Sequence, residues 1–235
     1  MTFLLNTVPY PNWQKFYDKI ISDPYIALKY NRQKRLLEKE QYIDLYCNEL
    51  YNSKNEIVFD LGPGPGEFME IVREIGHVPF GFDAPENDCE MGNEYLQLSK
   101  LMTCRQKLNV IYDDFNISFM NNKFDIKQNS VFFINSQGSI EQIFKQCLEG
   151  PPHIKTKNAN LLSWKICRET KETLFNFLNQ CYKYLKIGGT LLIYGNGAIN
   201  VSDYDLLIRI CINEINGFSL IERYNDRFHK MRKIL

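Results

Sequence analysis

The sequence predicts an α/β fold: a seven-stranded, mostly parallel sheet with helices on both faces, an antiparallel edge hairpin at the C-terminus, and an N-terminal helical extension. Three observations predict it. Short apolar segments alternate along the chain with amphipathic ones, the order of a parallel sheet and its crossover helices. Several short segments, Glu56–Asp60 and Ser130–Asn135 among them, are apolar nearly throughout, as strands covered on both faces are. The last two strand-like segments, near Phe218–Arg223 and Phe228–Lys233, are joined by a short link that allows an antiparallel pair.

The first fifty residues read as helices. Trp13, Phe16, Tyr17, Ile20 and Ile21 recur at i, i+3, i+4, i+7 and i+8, one apolar stripe, and Asp23-Pro24 breaks it. A second helix carries Leu36, Leu37, Ile43, Tyr46, Cys47 and Leu50 on its buried side, and Tyr51–Asn55 links it to the main body. Residues 1–52 are therefore read as a helical extension or lid, and residues 53–235 as the main domain.

Glu56–Asp60 is the first strand, and Phe68, Ile71, Val72 and Ile75 mark the helix after it, stopped by Gly76. Val78–Asp83 is strand two, and Met91, Tyr95, Leu98 and Met102 mark the next helix. Asn109–Tyr112 is strand three and Ser130–Asn135 strand four. Ile140, Ile143, Phe144, Cys147 and Leu148 belong to a further helix, and Leu174 to Leu185 to a long one. Gly188 and Gly189 are expected to close that long helix in left-handed geometry before strand five, Thr190–Tyr194. A last helix spans Asp203–Asn216, ahead of the hairpin.

Composition narrows the function classes. A chain of 235 residues has room for one well-buried domain with an appendage. Lys+Arg and Asp+Glu both number 28, a zero balance that argues against a dedicated nucleic-acid binder. No run approaches the roughly 18 apolar residues a membrane helix needs, and Met1–Asn6 lacks the basic region of a signal peptide. The seven cysteines are odd in number and scattered, with no CxxC pair. They read as reduced thiols of a cytoplasmic protein, with no disulfide framework and no metal site.

The most informative segment is Asp60-Leu61-Gly62-Pro63-Gly64-Pro65-Gly66, between strand one and its helix. Its glycines let the backbone approach a ligand without interference from a Cβ, while Pro63 and Pro65 stiffen the loop. The amides opening the next helix, at the positive end of its dipole, suit a carboxylate or phosphate. A dinucleotide fingerprint is spaced G-x-G-x-x-G; this loop is D-x-G-x-G-x-G, and a P-loop's lysine and hydroxyl are missing.

This loop resembles motif I of the class I S-adenosylmethionine-dependent methyltransferases, a Rossmann-like family, and the order of elements over residues 56–235 is similar to theirs. The resemblance implies a methyltransferase that uses S-adenosylmethionine and releases S-adenosylhomocysteine. It implies that Asp60, Gly62, Pro63, Gly64 and Gly66 hold the methionine part, and that Asp83, with Ala84 beside it, takes the ribose. It implies an adenine contact from Asp113 or Asp114, with Phe115 packing on the ring. Asn135 and Gln137 lie at the carboxyl end of strand four, where open α/β sheets bind ligands. Two departures stand out: Glu141-Gln142 replaces the Glu-His of many small-molecule members, and Ile187 replaces the proline before the paired glycines.

A general base is needed only where the acceptor keeps a proton of high pKa. Glu141, His153 and His229 are the candidates; His77 precedes strand two, at the wrong end of the sheet. The implied partner is a small-molecule acceptor, with O-methylation of a sugar, glycan or other metabolite as the leading reading. The basic C-terminal end (Arg223, Arg227, Lys230, Arg232, Lys233) is read as a solvated strand face or as a surface for an anionic acceptor. C- or N-methylation of a lipid or small amine, and a catalytically silent cofactor-binding subunit, are the alternatives. The expected assembly is a monomer or homodimer.

Overall fold

The computed structural model describes residues 32–83, 99–100, 102–104, 106–112, 124–137, 168–195, 201–225 and 228–235. Among them seven strands form a sheet in the order β3-β2-β1-β4-β5-β7-β6. The strands are β1 (Ile57–Leu61), β2 (Val78–Asp83), β3 (Asn109–Tyr112), β4 (Val131–Gln137), β5 (Leu185–Tyr194), β6 (Phe218–Asn225) and β7 (Phe228–Lys233). The chain forms two compact units, Met1–Glu56 with Pro63–Asp114, and Ile57–Gly62 with Phe115–Leu235.

In the first unit, helix α1 (Arg32–Tyr46) and a short 3-10 turn (Asn48–Asn52) precede helix α2 (Glu67–Ile75). α2 is amphipathic, with Phe68, Met69, Ile71 and Val72 buried. α1 packs on it: the Tyr42 ring meets the Phe68 ring edge-on at 6.4 Å. Ile43, Cys47 and Leu50 are fully buried as the sequence suggests, but Leu37 is 53% exposed. At 100° per residue, position 37 sits about 120° from position 43, off the packed stripe. Gly76 ends α2 at φ +109° and donates its amide to the Arg73 carbonyl at 3.0 Å. β2 then pairs in parallel with β3, Asp83 opposite Tyr112. His77 is structural: it is buried, its Nε2–H donates to the Leu50 carbonyl (2.7 Å), and its Nδ1 accepts the Glu56 amide (3.3 Å).

In the second unit β1 pairs in parallel with β4, and β4 with β5. Helix α3 (Arg168–Tyr184) runs directly into β5, and helix α4 (Val201–Ile215) precedes β6. Val58 through Leu61 and Thr190 through Ile193 are buried without a break, so both faces of these strands are covered. β7 is antiparallel to both β5 and β6, which makes the C-terminal hairpin.

Two features differ from what the sequence predicts. Gly188 and Gly189 do not close a helix: α3 ends at Tyr184, and both glycines lie inside β5. Gly188 is left-handed at φ +81°, but it forms a bulge. The register passes from Val131↔Leu185 to Phe133↔Thr190, so β5 spends five residues where β4 spends two. Nor is the basic end wholly a solvated face. β7 lies between β5 and β6, an interior position, and Lys230 and Lys233 are buried while Arg232 is exposed. Lys233 Nζ donates to Asn129 Oδ1 (2.6 Å) and to the carbonyls of Tyr182 (2.8 Å) and Leu185 (2.9 Å), and lies over the Tyr182 ring. Burial lowers its pKa from the ordinary lysine value.

The stripe Trp13–Ile21, the segment Met91–Leu98 and the helix expected at Ile140–Leu148 lie outside the described residues. Among the described residues no helix is long and apolar enough to cross a membrane.

Candidate functional site

Strand order points to a candidate site. The chain leaves β1, makes β2 and β3, and resumes with β4 on the other side of β1, so a topological switch point lies between β1 and β4. Open α/β sheets bind ligands at the carboxyl ends of the strands beside such a point. There Asp60 lies opposite Asn135 in register, and Asn135 Nδ2 donates to Asp60 Oδ1 at 2.8 Å. Both are buried, at 3% and 1% exposure. A buried carboxylate is costly without a hydrogen-bond donor, and Asn135 supplies one. Gln137, half-exposed, ends β4 opposite Tyr194.

The glycine loop follows Asp60. Gly62, Gly64 and Gly66 are all left-handed, at φ +75°, +51° and +90°. A residue with a Cβ pays about 1–2 kcal/mol in that region, so the alternation of glycines is a dihedral requirement as well as a matter of access. Pro63 and Pro65 between them hold φ near the opposite sign and contribute no amide. The Gly66 amide donates to the Pro63 carbonyl at 3.0 Å, and the Gly64 amide to Asp83 Oδ2 at 3.3 Å. The structure thus brings the loop and the acid at the end of β2 together. Gly81 completes the contact: a Cβ there would lie 2.8 Å from Met69 Sδ and 2.9 Å from both Pro63 Cγ and Val110 Cγ2.

α2 opens from Gly66, which has no side chain to cap it. Its first-turn amides have no intrahelical acceptors, and they stand at the positive end of the dipole. Glu67 and Glu70 complement that end. Glu67 is 1% exposed and accepts Arg35 Nε at 2.9 Å, while the Arg32 guanidinium pairs with Glu70. Gln106, turned so that both of its amide atoms are satisfied, faces Arg32 with its oxygen and Glu70 with its nitrogen. The sequence reading missed Glu67, Arg35 and Gly81. The spacing of three in both Arg32/Arg35 and Glu67/Glu70 was the available signal, but only packing joins the pairs.

His229 is fully buried in β7, opposite Ile193 of β5. Ala84, Asp113, Asp114, Phe115, Glu141 and His153 lie outside the described residues. Among the described residues no group of three or more His, Cys, Asp or Glu is placed to hold a metal ion. None of the described cysteines forms a disulfide; burial raises the pKa of Cys104 and Cys181, and pushes Cys211 up to about 12.

No protein-family model matches the chain, and no curated protein sequence does. Solved structures do. Magnesium protoporphyrin IX methyltransferase from Synechocystis PCC 6803, with bound S-adenosylmethionine, is similar at 11% identity and TM-score 0.50, over 95% of this chain and 92% of that one. An S-adenosylmethionine-dependent methyltransferase from Archaeoglobus fulgidus is 16% identical over 85% of this chain and 79% of its own, with TM-score 0.48. Another, from Aquifex aeolicus, is 13% identical over 94% and 98%, with TM-score 0.46. The first of these likenesses shows the fold: it is the Rossmann-like α/β fold of the class I S-adenosylmethionine-dependent methyltransferases.

Proposed function

We propose that the chain is an S-adenosylmethionine-dependent methyltransferase acting on a small molecule and releasing S-adenosylhomocysteine. One observation carries this reading. The D-x-G-x-G-x-G loop, with three left-handed glycines, leaves β1 at the switch point and opens a helix that has no side-chain cap.

The donor set fits the cofactor's chemistry. Uncapped amides at the start of α2 suit its carboxylate, and the buried Asp60 carboxylate, steadied by Asn135, suits its ammonium. Asp83, with Ala84 after it, is assigned to the ribose hydroxyls. Asp113 or Asp114 is assigned to the adenine amino group, with Phe115 against the ring. Gly62, Pro63, Gly64 and Gly66 are assigned to the methionine part, and Gln137, at the carboxyl end of β4, is assigned to the cofactor as well. When bound, the cofactor supplies a methyl group on a sulfonium, activated for in-line displacement. The protein's part is to align the acceptor and exclude water. The N-terminal extension, residues 1–52, is assigned as a lid for the acceptor. The acceptor proton is assigned to one of Glu141, His153 or His229, and a general base is worth typically 10²–10⁴-fold in rate. The acceptor atom is assigned as oxygen, on a sugar, glycan or other metabolite, and the acceptor as carbohydrate or anionic.

Calorimetry with S-adenosylmethionine, S-adenosylhomocysteine and NAD tests the cofactor, and a labelled-methyl screen over nucleotide sugars, glycans, amines and acyl lipids tests the acceptor. Binding of both sulfur cofactors and label in a carbohydrate are expected. Tight NAD binding with neither sulfur cofactor bound overturns the reading. Label in a lipid or amine overturns the carbohydrate assignment alone. Donor binding with no transfer to any acceptor favours a silent cofactor-binding subunit.

A further inference from the structure

We propose that Arg35 is a positioning residue for the glycine loop, acting through Glu67; the role assigned to the loop rests on the cofactor reading above. The loop can do little to hold itself. Pro63 and Pro65 have no amide to donate. Of the loop's three glycine amides, that of Gly66 bonds within the turn, to the Pro63 carbonyl at 3.0 Å. The Gly64 amide reaches Asp83 at 3.3 Å, beyond the usual N–H···O range. Gly66 caps α2 with no side chain.

Glu67 is the next residue, the first of α2, and its carboxylate is 1% exposed. Arg35 Nε on α1 donates to that carboxylate at 2.9 Å. A buried carboxylate at a helix start is held in place by the cation paired with it, and losing that ion pair favours its movement toward water or another donor. Movement of Glu67 moves Gly66, to which it is bonded. The molecule also contains its own control. Arg32 and Glu70 form a second ion pair between the same two helices, one turn further from the loop. A contribution to packing alone is common to both pairs; control of the loop belongs to Arg35.

The test compares Arg35→Met, Arg35→Lys and Arg32→Met in the full chain. Amide hydrogen exchange of the unliganded protein is read at Gly66, bonded to Pro63, and at Glu70, bonded to Gly66, alongside thermal unfolding and calorimetric titration with S-adenosylmethionine. Arg35→Met is expected to speed exchange at both amides and to weaken cofactor binding, each by about tenfold, the size of a lost charge-assisted bond. Arg35→Lys is expected to fall between it and the parent. Arg32→Met is expected to lower the melting temperature comparably while leaving loop exchange and affinity near the parent's. If Arg35→Met does not fold, Arg35→Lys decides: faster loop exchange supports the proposal and parental exchange overturns it. Equal loosening by Arg32→Met and Arg35→Met also overturns it. A parent that binds no S-adenosylmethionine while Arg35 variants still loosen the loop selectively refutes the cofactor reading and leaves the positioning role intact.

Discussion

Two glycine-rich turns in this molecule use the same residue for different reasons. In the loop after β1, Gly66 is left-handed, and a Cβ there would meet side chains: Leu108 Cδ1 at 2.6 Å and Thr103 Cγ2 at 3.1 Å. In the β5 bulge the two requirements are split between neighbours. Gly188 is left-handed with nothing within 4 Å of a Cβ. Gly189 has no positive φ, but its Cβ would lie 2.9 Å from the Lys186 carbonyl oxygen and 3.0 Å from those of Phe132 and Val131. Side chains can rotate away from an added methyl, whereas hydrogen-bonded carbonyls of a sheet cannot. The difference separates a turn shaped for what lies beyond the strand end from one that lets two strands pair through a bulge.

Substitutions break the comparison in order of size. Gly189→Ala is expected to be the most damaging, costing about 3 kcal/mol in urea unfolding, at the upper end for overpacking, because backbone must shift to admit it. Gly66→Ala is expected to cost about 2 kcal/mol, mostly the left-handed penalty, since the Leu108 tip can turn aside. Unlike Gly189→Ala, it should also weaken S-adenosylmethionine binding by calorimetry. Asp83→Ala should leave the unfolding midpoint nearly unchanged and cut cofactor affinity by about tenfold or more, the loss of hydrogen bonds to a charged group; parental affinity would move the ribose site elsewhere. Gly188→Ala is expected to have the smallest effect, about 1 kcal/mol of stability with no change in cofactor affinity. A loss as large as that of Gly189→Ala would show that open space around the bulge does not make it tolerant.

Much of this was legible in the sequence for identifiable reasons. β2 and β3 were read at their observed ends because apolar runs bounded by turn residues carry a strong local signal. The end of α2 at Gly76 was legible because a left-handed cap there favours glycine. Gly188 and Gly189 were misread because paired glycines after an amphipathic helix look the same whether they cap it or bulge a strand. Lys230 and Lys233 were misread because alternating basic residues look like an exposed edge; the insertion of β7 between β5 and β6 made their strand interior.

The sequence by itself determined the α/β class, the order of the strands along the chain, and the loop Asp60–Gly66 with Asp83 after it, because these depend on periodicity and on dihedral preferences local to the chain. Only the tertiary structure decided that Asn135 steadies Asp60, that Arg35 reaches Glu67, and that Lys233 is spent on three oxygens of its own protein. Those pairings join residues 75, 32, 104, 51 and 48 positions apart. Charge and hydrogen bonding act through space at a few ångströms, and no local pattern in a sequence records which distant residues folding will bring within that range.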